Sequence, residues 1–394
     1  MIYRKFKDMD LSLLGFGAMR LPLNEDGTVD EILTKDMIRL SMEQGVNFYD
    51  TAYPYHSGES ERILGEIMQE YPRDSYYLAT KYPGHQITKT GDPNYDPKSV
   101  FEEQLKKCRV DYFDFYLMHN VYENSIAEYT DPEWGIMDYF IEQKRQGKIR
   151  YLGFSTHGGL EVMEQFLDLY GEHLDFCQIQ LNYLDWTLQD AKAKYEMLTE
   201  RGIPVWVMEP VRGGKLAKLD DDSEALLKGF RPDASIASWS FRFLQQLPNV
   251  KMILSGMSDM AQVQDNLKTF ETEIPLSADE YNTLQDIAEK MKDAIPCTSC
   301  RYCTDSCPAG LDIPHLLNIY NEVRVVPSVN SYMRLDALGP DKQPSSCINC
   351  GKCAKFCPQG IDIPQLMEDF SETLKKLPTW ESICHQRDES QIKA

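Results

Sequence analysis

Eight of the eleven cysteines form two copies of the spacing C-x2-C-x2-C-x3-C-P. The first copy is Cys297, Cys300, Cys303 and Cys307, and the second is Cys347, Cys350, Cys353 and Cys357. Thiolates are soft ligands that suit iron–sulfur clusters, and four of them complete one [4Fe–4S] cubane. The sequence therefore predicts two [4Fe–4S] clusters, and with them one-electron chemistry, in the last quarter of the chain.

Two other uses of these cysteines are weaker but stay open. A zinc site would need only four of them, usually as two C-x2-C pairs, and would leave the third and fourth cysteine of each run without a role. A disulfide framework would need an oxidising compartment, and nothing in the sequence indicates one.

The two cysteine runs belong to a longer internal repeat, residues 297–314 and 347–364. In each copy an aspartate (Asp312 or Asp362) can cap a helix, and a proline (Pro314 or Pro364) is tolerated in the first turn. Apolar residues then recur at helical spacing. Residues 297–370 are therefore expected to form a small α-helical domain that resembles the ferredoxins.

In two-cluster ferredoxins the fourth cysteine of each run ligates the other cluster. This resemblance implies crossed ligand sets. The first set is Cys297, Cys300, Cys303 and Cys357, and the second is Cys347, Cys350, Cys353 and Cys307.

A second group of reactive side chains lies far from the cysteines, after short apolar runs in the first third of the chain. It consists of Asp50, Tyr55, Lys81 and His119. Singly, each has an ordinary explanation, such as a helix cap, an extended lysine or a hydrogen-bonded histidine. Four such groups on one edge of a sheet would instead indicate acid–base chemistry.

The elements that would position these side chains alternate between strand and helix over residues 1–275. Eight apolar runs are predicted as strands: 13–17, 47–51, 77–81, 113–119, 151–155, 176–181, 205–209 and 252–255. Helix-period segments lie between them, which predicts a (β/α)8 TIM barrel with its chemistry at the carboxyl ends of the strands. No G-x-G-x-x-G follows the first strand, so a Rossmann fold is disfavoured. Residues 2–12 are expected to form a hairpin at the barrel bottom.

Several segments of this region resemble the aldo-keto reductase family. GVNFYDTAYPYHSGESERILG (45–65) is similar to its signature, and YLATK ending at Lys81 and FYLMH ending at His119 are similar to two of its strands. GKIRYLGFST (147–156), CQIQLNYLD (177–185) and SGMSDMAQVQDN (255–266) match later segments in the same order. The chain thus resembles an aldo-keto reductase fused to a ferredoxin-type iron–sulfur domain.

The resemblance implies roles for the four side chains. Tyr55 would donate a proton to the substrate oxygen, and Lys81 beside it would lower the pKa of that phenol. Asp50 would hold Lys81 charged and oriented. His119 would donate a hydrogen bond to the substrate oxygen and stabilise its developing charge.

The resemblance also implies a nicotinamide site. Ser155 and Gln178 would hold the carboxamide, although Thr156 follows Ser155 where the family usually has asparagine, and Tyr183 or a neighbour would stack on the ring. The remaining contacts are expected from Arg212, Gly213 and Gly214 at the pyrophosphate and from Ser255, Gly256, Ser258, Gln262 and Asn266 at the adenosine end. Asp259 would repel a 2′-phosphate, which favours NAD(H) over NADP(H). His85, Gln86 and Trp134 are candidates for the substrate mouth.

Length, charge and flanking segments bound the remaining possibilities. A chain of 394 residues favours two domains, here joined by a connecting helix at 276–296 and followed by a tail at 371–394. Ser277 and Glu280 form a capping-box pattern at the start of that helix. The net charge of −21 disfavours nucleic acid. Without a signal peptide or an apolar run long enough to span a membrane, the chain is expected in the cytoplasm.

Two functions are consistent with these features. The first is an NAD(P)-dependent oxidoreductase that interconverts a small carbonyl and an alcohol, while its clusters exchange electrons with a ferredoxin or flavoprotein partner. The alternative is a non-enzymatic redox-sensing or electron-transfer adaptor whose barrel only binds nicotinamide. The complete set of Asp50, Tyr55, Lys81 and His119 favours the enzyme, since a binding module would not need the acid–base pair.

Overall fold

The structure is a computed structural model that describes residues 1–84, 96–123, 125–291, 295–325, 335 and 338–377. It divides into two compact units, Met1–Glu289 and Lys290–Ala394.

Eight parallel strands of the first unit close into a barrel. They are β3 (Leu14–Gly17), β4 (Phe48–Asp50), β5 (Tyr77–Tyr82), β6 (Phe113–Met118), β7 (Ile149–Thr156), β8 (Phe176–Gln180), β9 (Val205–Met208) and β10 (Val250–Gly256). Neighbouring strands follow the chain order, and β10 pairs with β3 to close the barrel. Each overlaps a predicted strand, so the (β/α)8 prediction is confirmed.

Helices follow the strands around the outside of the barrel, as the helix-period segments predicted. They are α1 (Glu31–Glu43), α2 (Glu59–Ile67), α3 (Pro97–Cys108), α4 (Ile126–Thr130), α5 (Ile136–Arg145), α6 (Leu160–Tyr170), α7 (Asp185–Leu188), α8 (Ala191–Glu200), α9 (Asp221–Phe230), α10 (Ile236–Gln245) and α11 (Met260–Thr269). Several begin at an aspartate or serine whose side chain accepts a backbone N–H of the first turn, as Asp30 and Asp96 do.

The bottom of the barrel is closed by the expected hairpin, β1 (Tyr3–Phe6) paired antiparallel with β2 (Met9–Ser12). Phe6 packs edge-on against Trp206 at 4.9 Å between ring centroids. Both side chains are at most 2% exposed and share a core with Phe48, Phe115 and other residues from the amino ends of the strands. The hydrophobic filling of this end leaves the opposite end for chemistry.

Helix α12 (Ala278–Met291) follows the barrel. Its start is the predicted capping box: the backbone N–H of Ser277 donates to Glu280, and the N–H of Glu280 donates to the Ser277 hydroxyl at 3.2 Å. Arg231 also binds the Glu280 carboxylate, which lowers the pKa of that carboxyl.

The second unit is built on the repeat. Its described helices are α13 (Ile313–Val325), α14 (Lys352–Lys355) and α15 (Ile363–Lys375). Asp312 and Asp362 each accept a backbone N–H of the following helix at 3.3 Å, as predicted. Tyr320 and Phe370 occupy equivalent positions and stack with centroids 4.5 Å apart, so the two copies share one core. Helix α15 continues past residue 370, the expected domain end, because Leu374 and Leu377 still pack on that core.

Across the residues that the structure describes, none of the helices combines the length and the hydropathy needed to cross a bilayer.

Candidate functional site

The four predicted acid–base residues meet at the carboxyl ends of neighbouring barrel strands. Asp50 is the last residue of β4, Lys81 lies near the end of β5, and His119 directly follows β6. Tyr55 begins a 3-10 turn (Tyr55–Gly58) after β4. All four are buried, and Tyr55, at 9%, is the most exposed of them. The phenol is therefore the group nearest to solvent.

Lys81 is the centre of this arrangement. Its Nζ donates to Oδ1 of Asp50 and to the backbone carbonyl of Thr51, both at 2.6 Å, and to the hydroxyl of Tyr55 at 3.3 Å. The three acceptors fix the ammonium beneath the phenol. The rings of His119 and Tyr55 are nearly perpendicular, with their centroids 5.9 Å apart.

Burial controls the protonation of these groups. It raises the pKa of Tyr55 well above the usual value for tyrosine, and the nearby carboxylates of Asp50 and Glu209 raise it further. Burial also lowers the pKa of Lys81 and raises that of Asp50, and the attraction between these two groups opposes both shifts. The expected lowering of the Tyr55 pKa by Lys81 is therefore not the net result, because desolvation of the phenol outweighs it. Tyr55 is a protonated phenol at neutral pH.

A buried polar network that the sequence analysis did not predict contacts the backbone of Lys81. Gln104 of α3 donates to the Lys81 carbonyl at 3.0 Å and to Glu61 of α2 at 2.7 Å. Thr80 donates to the same Glu61 carboxylate at 2.6 Å, and Tyr116 donates to Gln104. This network connects α2 and α3 to strand β5 and thereby fixes the position of the Lys81 backbone.

The two residues expected at the nicotinamide carboxamide lie side by side on β7 and β8. Ser155 and Gln178 are registered opposite each other, and both are at most 3% exposed. The Ser155 hydroxyl accepts the backbone N–H of Asn120 at 2.9 Å. Gln178 donates to the sulfur of Met208, while its Oε1 is buried without a hydrogen-bond partner. An amide N–H of a bound carboxamide would satisfy that oxygen, so this part of the site fits a nicotinamide.

Arg212, in the loop after β9, was expected to contact the pyrophosphate and here binds a buried carboxylate. This side chain is 2% exposed, and its Nε donates to Asp185 at 2.9 Å. Gln180 and Asn182 donate to the same carboxylate at 2.7 and 2.6 Å. The guanidinium therefore braces the loop from inside, because it neutralises a fully buried carboxylate. Its Nη2 is buried without a hydrogen-bond partner, so the expected contact of Arg212 with a pyrophosphate stays a prediction.

Gly213 and Gly214, also expected at the pyrophosphate, form the turn of this loop. Both have left-handed φ, at 64° and 95°, which glycine adopts without strain. The Gly214 backbone N–H donates to the Val211 carbonyl at 3.0 Å, and the Gly213 backbone hydrogen-bonds the Glu209 carboxylate. Their contact with a pyrophosphate stays a prediction.

Glu209, directly after β9, is the residue at this rim that the sequence did not single out. It has a left-handed φ of 57°, which is unusual for glutamate. Burial raises the pKa of its carboxyl to about 7, while Arg20, Arg212 and a hydrogen bond from the Gly213 backbone lower it. Its charge also acts on Tyr55. A carboxyl that titrates near neutrality therefore lies between the phenol and the glycine loop.

The residues expected at the adenosine end gather after β10. Asn266 of α11 donates to the buried Ser255 hydroxyl at 2.8 Å, and the backbone N–H of Ser258 donates to Gln262 at 2.9 Å. Gly256 faces Arg20, whose side chain would lie 3.2 Å from an added Cβ. Asp259 caps α11 and holds Gln262 through two hydrogen bonds of 2.8 Å. A carboxylate thus sits at the helix start where these side chains meet.

The aromatic residues expected near the cofactor and the substrate mouth are at least partly buried. Tyr183 is fully buried, and its stacking on a nicotinamide ring stays a prediction. Trp134 is partly buried in the segment between α4 and α5, whereas His85 and Gln86 lie outside the described residues.

The eight repeat cysteines line two separate cavities in the second unit. One is lined by Cys297, Cys300, Cys303 and Cys357. The other is lined by Cys307, Cys347, Cys350 and Cys353. Each cavity thus combines three thiols of one run with the last thiol of the other, which are the crossed sets that the ferredoxin resemblance implied.

The backbone around each cavity repeats as well. Ser299 and Asn349 have left-handed φ of 56° and 53°, Arg301 and Gly351 of 68° and 70°, and Gly310 and Gly360 of 61° and 62°. Alternation of left-handed and right-handed residues turns successive N–H groups toward one point, the geometry of anion-binding loops at iron–sulfur sites.

The thiols of each cavity also interact electrostatically. Burial, followed by the neighbouring thiols Cys300, Cys297 and Cys357, raises the pKa of Cys303. Burial raises the pKa of Cys353 to about 11, and Cys347 and Cys307 contribute. Four thiolates could coexist here only around a cationic group, which the irons of a cluster would supply.

A single metal ion fits less well. Within the described part of the chain, no three His, Cys, Asp or Glu side chains converge closely enough to hold one ion. Each cavity instead gathers three thiols of one run and the last thiol of the other, as the ligand sets of two-cluster ferredoxins do. This arrangement uses all eight repeat cysteines, whereas a zinc site of two C-x2-C pairs would use four, so it favours iron–sulfur clusters.

Comparisons with known proteins match both units. The profile described as aldo/keto reductase family matches residues 13–289, and the profile described as 4Fe-4S dicluster domain matches residues 296–361. Among curated relatives, the uncharacterized oxidoreductase YqkF of Bacillus subtilis is 25% identical over 71% of this chain and 95% of its own length. The NADH-specific methylglyoxal reductase of Escherichia coli is 25% identical over 72% of this chain and 97% of its own length.

Solved structures agree with the barrel assignment. The holo form of aldo-keto reductase AKR11C1 from Bacillus halodurans is 26% identical, with a TM-score of 0.59 over 73% of this chain and 96% of that one. A Klebsiella pneumoniae aldo-keto reductase in complex with NADPH is 19% identical with a TM-score of 0.58, over 73% and 96% of the two chains, and shows the same fold.

Proposed function

Because this chain belongs to the aldo/keto reductase family and is an NAD(P)-dependent oxidoreductase with an iron–sulfur domain, we propose a division of work between its two units. The barrel interconverts a small carbonyl and the corresponding alcohol. The second unit holds two [4Fe–4S] clusters and exchanges electrons with a redox partner.

The observation that supports carbonyl reduction by the barrel is the hydrogen-bonded group of Asp50, Lys81 and Tyr55 at its rim. A bound nicotinamide supplies or accepts the hydride at the carbonyl carbon. Tyr55 donates a proton to the carbonyl oxygen, and Lys81, held by Asp50 at 2.6 Å, stabilises the phenolate that this transfer leaves. His119 stabilises the oxygen as it gains charge. In the reverse direction the Tyr55 phenolate takes the proton from an alcohol.

The cofactor would be held along the rim from β7 to β10. Ser155 and Gln178 would bind the carboxamide, Gly213 and Gly214 the pyrophosphate, and Ser255, Gly256, Ser258, Gln262 and Asn266 the adenosine end. The carboxylate of Asp259 at that end favours NAD(H) over NADP(H), because a 2′-phosphate beside it would be repelled. The NADH specificity named for the E. coli relative supports this preference, and its methylglyoxal specificity makes a small dicarbonyl the first substrate to test.

The clusters would supply one-electron transfer. Cys297, Cys300, Cys303 and Cys357 would hold one, and Cys307, Cys347, Cys350 and Cys353 the other. Hydride transfer moves two electrons together, and the sequence has no flavin motif to divide them. The clusters are therefore assigned to exchange with a separate carrier, a ferredoxin or flavoprotein. Thiolate ligands and the free Cys108 and Cys177 suit a reducing compartment such as the cytoplasm.

Anaerobic assays of the full chain test this proposal against the adaptor alternative. Oxidation of NADH is followed with methylglyoxal and with simple aldehydes, and the same assay is repeated with NADPH. Turnover with a small carbonyl supports the enzyme. Tight nicotinamide binding without turnover of any carbonyl or alcohol would instead support the adaptor.

A further inference from the structure

The two cysteine runs differ most in how much of each reaches the surface. In the second run Ile348 is 65% exposed, Phe356 is 43% exposed, and Cys350 is exposed. In the first run the equivalent of Ile348 is Thr298, which is 1% exposed. Cys300 and Ser306, the equivalents of Cys350 and Phe356, are only partly exposed. Two copies of one motif therefore present one apolar surface, on the second copy.

The charges of the two runs differ in the same direction. Between Cys347 and Cys357 the chain carries Lys352 and Lys355, both exposed, and no acidic residue. The first run has a tyrosine in place of Lys352 and the acidic Asp305 in place of Lys355, and its one cation, Arg301 in place of Gly351, is paired with Asp312. The apolar side chains of the second run are thus flanked by positive charge, in a protein whose net charge is −21.

This surface touches the second cavity directly. Ile348, Cys350 and Gly351 all line the cavity formed by Cys307, Cys347, Cys350 and Cys353. A carrier seated on Ile348 would therefore be separated from this cluster position by little more than that side chain, and Phe356 directly precedes Cys357, which lines the other cavity. An apolar centre with a charged rim is the composition of transient protein interfaces.

We propose that Ile348, Lys352, Lys355 and Phe356 form the docking surface for an acidic, ferredoxin-type electron carrier, so that electrons enter or leave through the cluster of the second cavity. The inference rests on the proposed cluster function and names the partner and the place for it. In the step itself one electron passes between the carrier's iron–sulfur centre and this cluster. One centre is oxidised as the other is reduced, and no bond or proton is exchanged.

Charge complementarity selects an acidic carrier over a basic one. A basic carrier would be attracted to the acidic surface in general and repelled at these two lysines. An acidic carrier is repelled elsewhere and attracted here, which orients its approach. At physiological salt the Debye length is about 8 Å, so charges farther than this from the docked carrier are largely screened.

The internal repeat provides matched variants for the test. Lys355→Asp with Phe356→Ser gives the second run the residues of the first, and Asp305→Lys with Ser306→Phe makes the reverse exchange in the first run. Both are made in the full chain with its clusters loaded. Binding of an oxidised plant-type [2Fe–2S] ferredoxin, as an acidic probe, is measured by thermophoresis, and electron transfer from the reduced probe by anaerobic stopped-flow.

The second-run exchange is expected to weaken ferredoxin binding about tenfold or more and to slow transfer similarly. The first-run exchange should not weaken it. Reduction by dithionite, which needs no docking surface, should be the same in both. If the second-run variant loses iron, Lys352→Gln with Lys355→Gln replaces it, since these exposed side chains do not line the cavity.

Three results would overturn the inference. The first is that the second-run variant binds ferredoxin as tightly as the native chain. The second is that the native chain does not bind ferredoxin although dithionite reduces its clusters. The third is that basic cytochrome c competes with ferredoxin for this surface. If dithionite reduces no cluster even in the native chain, the proposed cluster function fails as well, which separates the two failures.

Discussion

Replacing Tyr55 by phenylalanine removes one oxygen atom from the centre of the candidate active site and leaves the ring in place. The lost hydroxyl accepts a hydrogen bond from Lys81 at 3.3 Å, which is long, while Lys81 keeps Asp50 and Thr51 at 2.6 Å. The free energy of unfolding should therefore fall by less than about 1 kcal/mol. The change is confined to chemistry.

The expected loss of activity is much larger. A positioned general acid contributes about 10²- to 10⁴-fold to the rate, which is about 2.7 to 5.5 kcal/mol of activation free energy. Tyr55→Phe should lower kcat for carbonyl reduction by that factor and leave NADH affinity unchanged. Because burial raises the pKa of Tyr55 well above its usual value, wild-type reduction should not fall between about pH 6 and 9 through loss of this proton.

The assay is anaerobic oxidation of NADH with methylglyoxal, with nicotinamide binding measured separately by fluorescence. Tyr53→Phe is the matched control: its hydroxyl donates to Glu103 at 2.9 Å, so it loses a comparable hydrogen bond two residues away. That control should retain kcat within a few-fold. A Tyr55→Phe enzyme with wild-type kcat would refute the assignment of Tyr55 as the proton donor.

Three further predictions concern the rim and the second unit. The pKa of Glu209 is raised to about 7, so its carboxyl gains negative charge as the pH rises through 7. A bound pyrophosphate would raise that pKa further, and NADH affinity should weaken with rising pH by about tenfold for each unit of that rise. Glu209→Gln should bind NADH equally at pH 6 and 8, and a pH dependence that persists in this variant would count against the role of Glu209. Cys357→Ala should lose the cluster of the first cavity, and so about half of the iron, while a variant with wild-type iron would show that Cys357 is not a ligand. Phe370→Ala should destabilise the second unit by about 3–5 kcal/mol in thermal unfolding, because a fully buried stacked ring is lost. Phe356→Ala removes a ring that is 43% exposed and should cost less than about 1 kcal/mol. Equal effects of the two substitutions would contradict the packing of Phe370 on Tyr320.

Much of the architecture could be predicted because it is written in local patterns. The alternation of apolar runs and helix-period segments predicted all eight barrel strands, and the capping box at Ser277 and Glu280 forms as expected. The crossed sets of cysteines, which line the two cavities, could be expected only from the resemblance to the ferredoxins.

What could not be predicted depends on contacts between distant segments. Gln104 binds Glu61 from 43 residues away, and no periodicity in either helix points to that pair. Arg212 binds Asp185, 27 residues earlier, and nothing in the local sequence around either residue indicates that ion pair. The pKa of Tyr55 was expected to be lowered by Lys81, yet its direction is set by burial, which only the folded barrel reveals.

If one chain combines a hydride-transfer barrel with two [4Fe–4S] clusters, its iron and sulfide content tests that combination most directly. Iron and acid-labile sulfide, determined on anaerobically purified full-length protein, should each be about eight per chain on the two-cubane account. Zinc in place of iron, with sulfide near zero, would contradict it.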